Sequence, residues 1–312
     1  MITSQDIIDA HKRIHTYIHQ TPVLTSSLLN ELAECHLFFK CENLQRIGAF
    51  KIRGAANAVL QLTDEQKQKG VVTHSSGNHA QALAKMAQLT GLKARIVMPK
   101  TAPQVKVDAV RQYGAEIVFC EPTLMAREST MQKIVDETGA TFIPPYNHEH
   151  VITGQATAAK ELLTENSKLD YLLTPVGGGG LLAGSALSAH YFSPTTKVIG
   201  AEPTGADDAY RSFKKGTLIP SENPNTIADG LLTSLGAINF EIINNYVSDI
   251  YCVSDDEIKQ AMRLIWERMK LVVEPSSAVP LAVVLKNPSI FREKHVGIIF
   301  SGGNVDLGKL KF

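Results

Sequence analysis

The chain has 312 residues, which is enough for a substantial buried core in one large or two ordinary domains. Hydrophobic residues make up 44% of the chain and charged residues 20%, which is ordinary for a soluble globular protein. The 31 basic residues balance the 31 acidic residues, so no overall charge draws the protein towards nucleic acid or an anionic membrane.

No run of about 18 apolar residues is present, so the sequence predicts no membrane span. The start, MITSQDIIDAHKR, lacks the cationic and then apolar pattern of a signal peptide. The four cysteines form no CxxC pair, and they are Cys35, Cys41, Cys120 and Cys252. They are typical of reduced and mostly buried thiols, which predicts a cytoplasmic protein.

Short apolar strands alternate with helical stretches along most of the chain. In chain order, the predicted strands are 36–42, 71–76, 94–99, 116–120, 170–176, 197–202 and 296–301. The predicted helices lie between them at 50–62, 78–91, 104–114, 124–139 and 181–192. Continuous runs of Val, Ile and Leu that alternate with helices favour mostly parallel sheets covered by helices.

The grouping of these units predicts two domains. Three strand–helix units lie close together between about 69 and 147. The segment GATFIPPYNHEH at 139–150 is rich in turn-forming residues and predicts a crossing point. We therefore predict a small domain at 69–147, inserted into a large domain built from 1–60 and 149–312.

Four consecutive glycines separate a predicted strand from a predicted helix at 177–180. Glycine lets the backbone approach an anion closely, and the amides at the positive end of a helix bind phosphate. No Lys-Ser/Thr pair follows, so this is not the phosphate loop of a nucleotide triphosphatase. A dinucleotide site stays open, because Gly178, Gly180 and Ala183 fit G-x-G-x-x-G/A. Glu202, at the end of the next strand, is then the candidate ribose acceptor.

Lys51 opens a predicted helix just after a strand, with Phe50 before it and Ile52 after it. A lysine beside apolar neighbours and near a positive helix end has a destabilised ammonium group. The neutral amine is the form that Schiff-base chemistry requires. An ordinary exposed lysine is the alternative, since most lysines lie at the surface.

Two further strand ends carry small polar residues. The run SSGNH at 75–79 lies between a strand and a helix, where hydroxyls, a glycine and an amide predict a second anion-binding loop. Simple helix capping is the alternative there. Ser301 follows the last predicted strand, and ligands of open α/β sheets bind at the carboxyl ends of strands.

Together these motifs resemble the fold-type II pyridoxal-phosphate (PLP) enzymes of the serine/threonine dehydratase and serine racemase family. The matching segments follow the family order along nearly the whole chain: TPVL (21–24), CENLQRIGAFKIRGA (41–55), SSGNHAQALA (75–84), PVGGGGLLAG (175–184), EPTGADDA (202–209), TIADGL (226–231), VEPSSA (273–278) and SGGN (301–304). The resemblance implies an α/β fold of the tryptophan synthase β type, with two open, mostly parallel sheets. The dinucleotide alternative explains only one of these segments.

The resemblance assigns roles to individual residues. It implies that Lys51 bonds to PLP and moves the Cα proton of the substrate, with Phe50 packed near the cofactor ring. Asn78 resembles the residue that hydrogen-bonds the ring 3′ oxygen, and Ser301 resembles the hydroxyl paired with the pyridine nitrogen. The residues that resemble the phosphate cradle are Gly177, Gly178, Gly179 and Gly180. The loop that resembles the clasp of the substrate carboxylate consists of Ser75, Ser76, Gly77, Asn78 and His79.

Ser76 distinguishes subgroups within the family. The threonine-deaminase pattern usually has Ala at this position, whereas Ser is similar to serine racemases and 3-hydroxyaspartate dehydratases. A hydroxyl opposite Lys51 gives an acid/base on each face of Cα, which racemisation needs. Arg127 also matches a substrate-region arginine of serine racemases, with an exposed helix arginine as the alternative.

Glu202, Ala206 and Asp208 match the divalent-cation site of the family. Two carboxylates and a carbonyl oxygen, completed by waters, suit Mg²⁺, Mn²⁺ or Ca²⁺. Without the resemblance, these residues would favour a capped acidic turn. The chemistry at Lys51 does not depend on this cation, which would act structurally or as an activator.

The resemblance therefore implies a PLP-dependent serine racemase that also dehydrates serine to pyruvate and ammonia. A dedicated L-threonine/L-serine dehydratase or threo-3-hydroxyaspartate dehydratase is the main alternative, because both share every step up to the carbanion. More distant alternatives are an NAD-dependent oxidoreductase, a non-catalytic PLP-binding protein and a β-replacement synthase, which Ser76 disfavours. The family also implies a homodimer and a small hydroxy-amino-acid substrate, with neither nucleic acid nor membrane as a partner.

Overall fold

Two separate sheets form the centre of the computed structural model, which describes residues 2–102, 104–166 and 168–306. The larger sheet contains β1 (Val23–Leu24), β2 (His36–Cys41), β7 (Tyr171–Pro175), β8 (Lys197–Pro203), β9 (Asp249–Val253) and β10 (His295–Phe300). The smaller sheet contains β3 (Val71–His74), β4 (Ala94–Pro99), β5 (Glu116–Cys120) and β6 (Thr141–Phe142).

Nearly all strand pairs are parallel. The larger sheet has the order β1-β2-β10-β7-β8-β9, and only β1 runs antiparallel to its neighbour. The smaller sheet has the order β5-β4-β3-β6 and is parallel throughout. Parallel pairing places the carboxyl ends of the strands at one edge of each sheet, where ligands bind in open α/β folds.

Helices cover both faces of the larger sheet. The α-helices of the described residues are α1 (Ser4–Ile14), α2 (Ser27–Ala33), α3 (Lys51–Val59), α4 (Asp64–Lys69), α5 (Asn78–Thr90), α6 (Gln104–Gln112), α7 (Leu124–Thr138), α8 (Glu149–Glu165), α9 (Gly180–Phe192), α10 (Asp208–Lys215), α11 (Ala237–Tyr246), α12 (Asp255–Leu264), α13 (Pro275–Lys286) and α14 (Pro288–Phe291). Apolar residues of α2, α12 and α13 pack on one face, and those of α1, α8, α9 and α11 pack on the other. This double cover explains why the strands are apolar throughout rather than alternating.

The predicted α/β class with two mostly parallel sheets is confirmed. The predicted strands 94–99 and 116–120 coincide with β4 and β5, and the helix starts at 78, 104 and 124 coincide with α5, α6 and α7. The strands β1, β6 and β9 were not predicted, since two of them have only two residues and no clear pattern. The strands of the smaller sheet lie between 71 and 142, but the proposed domain boundaries stay a prediction.

Two other expectations concern cysteines and membrane spans. All four cysteines are free, and Cys35, Cys41 and Cys120 are buried while Cys252 is half-buried. Within residues 2–102, 104–166 and 168–306, no helix combines the length and apolar character needed to cross a bilayer.

A buried ion cluster fixes the position of α3. Lys40, Glu42, Arg53 and Glu161 are each at most 4% exposed. The Arg53 guanidinium contacts the Glu42 carboxylate through Nε at 2.7 Å and the Glu161 carboxylate through Nη1 at 2.7 Å. Lys40 Nζ lies 2.8 Å from Glu161 Oε2, so two positive charges face two negative charges. The cluster therefore joins the first turns of α3 to the end of β2 and to α8.

We predict that Arg53→Met lowers the free energy of unfolding by about 3–5 kcal/mol, because it leaves two buried carboxylates facing one lysine. The matched control is Arg292→Met, since the pair of Arg292 Nε with Glu34 has side chains 61% and 52% exposed. That exposed pair should contribute less than about 1 kcal/mol. Urea denaturation of both variants measures the difference, and equal losses would contradict a structural role for the cluster.

Candidate cofactor and substrate site

The start of α3 is hydrogen-bonded to the segment that follows β10. The backbone N–H of Phe50 donates to the carbonyl oxygen of Ser301 at 2.9 Å, and Ala49 forms an isolated antiparallel bridge with Gly302. Ser301 is only 3% exposed. Lys51 and Ser301 are far apart in the sequence, yet the fold makes them neighbours, as the resemblance implies.

The Lys51 side chain is half-buried, and its amine packs against two aromatic rings and a carbonyl oxygen. Its Nζ donates to the carbonyl oxygen of Pro145 at 2.7 Å and lies 5.2 Å and 5.9 Å from the ring centroids of Phe50 and Tyr146. Burial lowers the pKa of Lys51 to about 8, although the nearby charge of Glu274 opposes this shift. A substantial neutral fraction is therefore present near physiological pH, and the neutral amine is the nucleophilic form.

The four glycines form a turn between β7 and α9 whose shape excludes side chains. Gly179 has a φ of +90°, and a Cβ there would lie 2.5 Å from Leu235 Cδ1. A Cβ on Gly178 would lie 2.4 Å from the Tyr146 ring. The same ring lies near the Lys51 amine, so the segment Pro145–Tyr146 joins the lysine to the glycine turn. The buried turn opens the 13-residue helix α9, whose N-terminus attracts anions.

The loop SSGNH connects β3 to α5, as predicted. Ser75 Oγ accepts a hydrogen bond from Gly77 N at 3.3 Å, and the side chain of Ser76 is half-buried. Asn78 is the first residue of α5, and its Nδ2 donates to both carboxylate oxygens of Glu274, at 3.0 Å and 3.1 Å. The loop therefore lies beside a buried acid at the carboxyl edge of the smaller sheet.

The surroundings of His79 favour its neutral form. Its ring is 2% exposed, and burial, with the charge of Lys51 acting in the same direction, lowers the pKa of His79 to about 3. Nε2 lies 3.0 Å from the carbonyl oxygen of Ile143, which only accepts, so the proton is on Nε2. Nδ1 is buried and has no hydrogen-bond partner within the part of the chain that the structure describes.

Arg127 is half-buried on α7 and faces the smaller sheet. Its Nε is buried without a hydrogen-bond partner among the described residues. Burial lowers the pKa of His74, at the end of β3, and the charge of Arg127 acts in the same direction. The guanidinium therefore lies close to the strand end from which the SSGNH loop begins, and Arg127 is not simply an exposed helix residue.

Glu202 and Asp208 form a buried acidic pair at the start of α10. Both are 0% exposed, and Ala206 between them is 3% exposed. The Glu202 carboxylate accepts hydrogen bonds from Ala209 N at 3.0 Å and Tyr210 N at 2.7 Å, so it caps α10. Burial raises the pKa of Glu202 well above its usual range. A buried carboxylate that caps a helix does not favour the role of ribose acceptor, which the dinucleotide interpretation gives to Glu202.

Asp208 connects the acidic pair to the glycine turn. Its Oδ2 accepts from Leu235 N at 2.8 Å, and the next residue, Gly236, donates its N–H to Gly178 O at 3.1 Å. Its Oδ1 is buried and has no hydrogen-bond partner in the described ranges, and burial raises the pKa of Asp208. This Asp208 Oδ1 atom and the nearby Glu202 carboxylate are suited to binding a cation, because a cation would compensate their buried negative charge. The described residues contain no group of three metal-ligating side chains, so backbone oxygens or waters would complete it.

Sequence reasoning did not single out two buried residues that support the site. Glu274 is 4% exposed, and burial raises its pKa to about 7 although the hydrogen bond from Asn78 acts in the opposite direction. Ser277 Oγ donates to Gly302 O at 2.6 Å and lies 3.0 Å from Ser301 Oγ. Both belong to the segment VEPSSA at 273–278, which matches the family pattern. That match was the sequence feature that could have identified these two residues.

Comparison with known proteins places this site in a family. The family model described as pyridoxal-phosphate dependent enzyme matches residues 14–302. A β-hydroxyaspartate dehydratase of Paracoccus denitrificans is 53% identical over 308 residues, covering 99% of this chain and 98% of the relative. A serine racemase of Dictyostelium discoideum is 50% identical over 316 residues, covering 99% and 97%.

The similarity extends to solved structures. The structure of maize serine racemase superimposes with a TM-score of 0.96 at 43% identity, and the match covers 98% of this chain and 94% of that one. The family match and the high identity over full length agree with the predicted fold type. The chain belongs to the fold-type II pyridoxal-phosphate dependent enzymes, in the subgroup that contains serine racemases and hydroxyaspartate dehydratases.

Proposed function

We propose that this protein is a PLP-dependent serine racemase that also dehydrates L-serine to pyruvate and ammonia. The observation that carries the proposal is the half-buried Lys51 amine, which has a pKa of about 8 and shares the Tyr146 ring with the glycine turn. Bound PLP would supply the electron sink that stabilises negative charge at the substrate Cα. Relatives named as racemases and as a dehydratase support both activities.

Lys51 is the proposed covalent anchor and the first acid/base. Its neutral amine can bind an aldehyde, and once released it can take the Cα proton on its own face of the substrate. The start of α3 is held by the Phe50–Ser301 backbone bond and by the Arg53 ion cluster, and the amine itself donates to the Pro145 carbonyl. A fixed nitrogen at the reacting carbon lowers the entropic part of the barrier.

The proposed cofactor contacts follow from charge and shape. The amides of the turn Gly177 to Gly180 and the positive end of α9 would hold the phosphate, and Phe50 would pack near the ring. Asn78 would donate to the ring 3′ oxygen. Ser301 would face the ring nitrogen with a neutral hydroxyl, which cannot hold a full positive charge there as a carboxylate would. The weaker electron sink makes prompt loss of the β-hydroxyl favourable.

The proposed substrate contacts lie on the smaller sheet. The loop Ser75 to His79 and the Arg127 guanidinium would bind the substrate carboxylate, because hydroxyls, an amide and a cation are donors suited to an anion. Ser76 would be the acid/base on the face opposite Lys51. Two groups on opposite faces allow the proton to leave from one side and return from the other.

We also propose that Glu202, Ala206 and Asp208 hold a divalent cation, namely Mg²⁺, Mn²⁺ or Ca²⁺. The unpartnered Asp208 Oδ1 and the raised pKa of both carboxyls support this, because a cation would compensate their buried charge. Asp208 is linked through Leu235 and Gly236 to Gly178, so the cation would also stiffen the glycine turn.

A dedicated dehydratase of L-threonine or threo-3-hydroxyaspartate is the second candidate, favoured by the 53% identity to a β-hydroxyaspartate dehydratase. Separate incubation with L-serine, L-threonine and L-threo-3-hydroxyaspartate distinguishes the two, with chiral analysis and keto-acid detection as readouts. A racemase produces D-serine from L-serine, whereas a dedicated dehydratase produces only keto acid and ammonia. The homodimer and the cytoplasmic location stay predictions.

We predict that the protein stripped of cofactor recovers the visible absorbance of bound PLP at a rate that rises with pH and levels off above about 8. The lowered pKa of Lys51 means that its amine is mostly neutral above that pH, whereas an ordinary lysine becomes neutral only near 10.5. Stopped-flow absorbance measures the profile. Lys51→Ala is the control and should show no such band at any pH; a midpoint near 10.5 would contradict the assignment.

We predict that Ser76→Ala lowers the rate of D-serine formation from L-serine at least about a hundredfold, because general acid–base groups contribute about 10²–10⁴-fold. Pyruvate formation should fall much less, since Lys51 alone suffices for elimination. Ser75→Ala is the matched control and should lower both rates alike, because its proposed role is carboxylate binding. Parallel loss of both products in Ser76→Ala would argue against a two-sided proton transfer.

We predict that Mg²⁺ raises the melting temperature of the protein stripped with a chelator, since ligands that bind only the folded state stabilise it. Asp208→Asn should abolish most of this increase. Asp207→Asn is the matched control, because Asp207 is 39% exposed and pairs with Arg211. Calorimetry with and without Mg²⁺ provides the readout. An increase in Asp208→Asn as large as in the unmodified protein would remove the cation assignment.

A further inference from the structure

The side chain of Asn304 links two parts of the site. Its Nδ2 donates to the carbonyl oxygen of Ile47 at 2.7 Å and to Oδ1 of Asn78 at 2.9 Å. Asn78 in turn donates through its own Nδ2 to the Glu274 carboxylate. Asn304, Asn78 and Glu274 therefore form a continuous chain of side-chain hydrogen bonds.

The ends of this network fix the orientation of both amides. The carbonyl of Ile47 and an ionised Glu274 carboxylate can only accept hydrogen bonds. Ile47 therefore requires the NH₂ group of Asn304, and Glu274 requires the NH₂ group of Asn78. Asn304 Nδ2 donates one hydrogen to each of its partners. Asn78 Nδ2 lies 3.0 Å and 3.1 Å from the two oxygens of one carboxylate, so one N–H can stay on Glu274 while the other donates to a bound ligand.

The backbone around Asn304 holds it in place. Ile47 has a φ of +60°, in the left-handed region that a β-branched residue rarely adopts, and this conformation directs its carbonyl to Asn304. A Cβ on Gly48 would lie 2.7 Å from Asn304 Oδ1, so the absence of a side chain at Gly48 makes room for the amide. Gly303 N also donates to Gly48 O at 2.8 Å. The strained turn before α3 is thus shaped around Asn304.

We propose that Asn304 is a positioning residue that orients the amide of Asn78, so that Asn78 offers an N–H group, and not its carbonyl, to the ring oxygen of PLP. The inference rests on the proposed function, because it requires PLP in this site with Asn78 at its 3′ oxygen. An N–H donor stabilises a negatively charged ring oxygen, whereas a reversed amide would place two acceptors against each other. Without Asn304, the Glu274 carboxylate is the one group of the described residues that still favours this orientation of the Asn78 amide.

The test is Asn304→Ala, read by the absorbance bands of the bound cofactor during a pH titration. The balance of these bands reports protonation at the ring oxygen and its imine partner. Loss of the oriented donor should raise the pH at which the bands exchange by about one unit. The matched control is Asn287→Ala, because Asn287 is also half-buried and its Nδ2 donates to the Val283 carbonyl at 2.8 Å, at the end of α13. That variant should titrate like the unmodified protein.

A double-variant cycle separates positioning from a general structural effect. Adding Asn304→Ala to Asn78→Ala should shift the bands no further, because Asn304 acts through Asn78. An unchanged midpoint in Asn304→Ala, or a shift that persists in the Asn78→Ala background, would overturn the inference and leave the proposed function intact. Absence of cofactor bands in the unmodified protein would overturn both. If Asn304→Ala does not fold, Asn304→Ser is the substitute, because it keeps one hydrogen-bond donor. It should shift the midpoint of the bands in the same direction by a smaller amount. An unchanged midpoint in Asn304→Ser would refute the inference about Asn304.

Discussion

The site depends on the packing of the half-buried Lys51 amine against its neighbours. Two aromatic rings and one carbonyl lie next to Nζ, and burial lowers the pKa to about 8. This packing persists only if the first turn of α3 stays in place. The bond from Phe50 N to Ser301 O and the buried Arg53 cluster both hold that turn. The stability of the fold and the reactivity of the amine therefore share the same contacts.

Side chains that contact backbone groups couple the elements of the site. The segment Pro145–Tyr146 contacts both Lys51 and the glycine turn, so the amine and the proposed phosphate cradle keep a fixed separation. On the other side of the turn, Leu235 and Gly236 connect Gly178 to Asp208. A cation at Asp208 would thus influence the cofactor site without touching it.

Local motifs made much of this arrangement predictable. The turn at 177–180, the loop at 75–79 and Ser301 each lie at a strand end, and parallel sheets bring such ends together. Lys51 lies at the start of α3, after the segment that follows β2. The contributions of Glu274 and Asn304 could not be predicted from spacing. They arise because β10 lies between β2 and β7, which brings the residues after β10 against the turn before α3. A local sequence pattern does not encode that strand order. It also cannot reveal whether the oxygen or the NH₂ group of the Asn78 or Asn304 side chain faces a given neighbour.

The most direct test of the central claim is chemical trapping of the bound cofactor. Purified protein with PLP is reduced with borohydride, digested, and analysed by mass spectrometry to locate the pyridoxyl group. The account predicts modification of the peptide that contains Lys51, because that amine has a pKa lowered to about 8 and shares the Tyr146 ring with the glycine turn. A pyridoxyl group on a different lysine, with Lys51 unmodified, would contradict it.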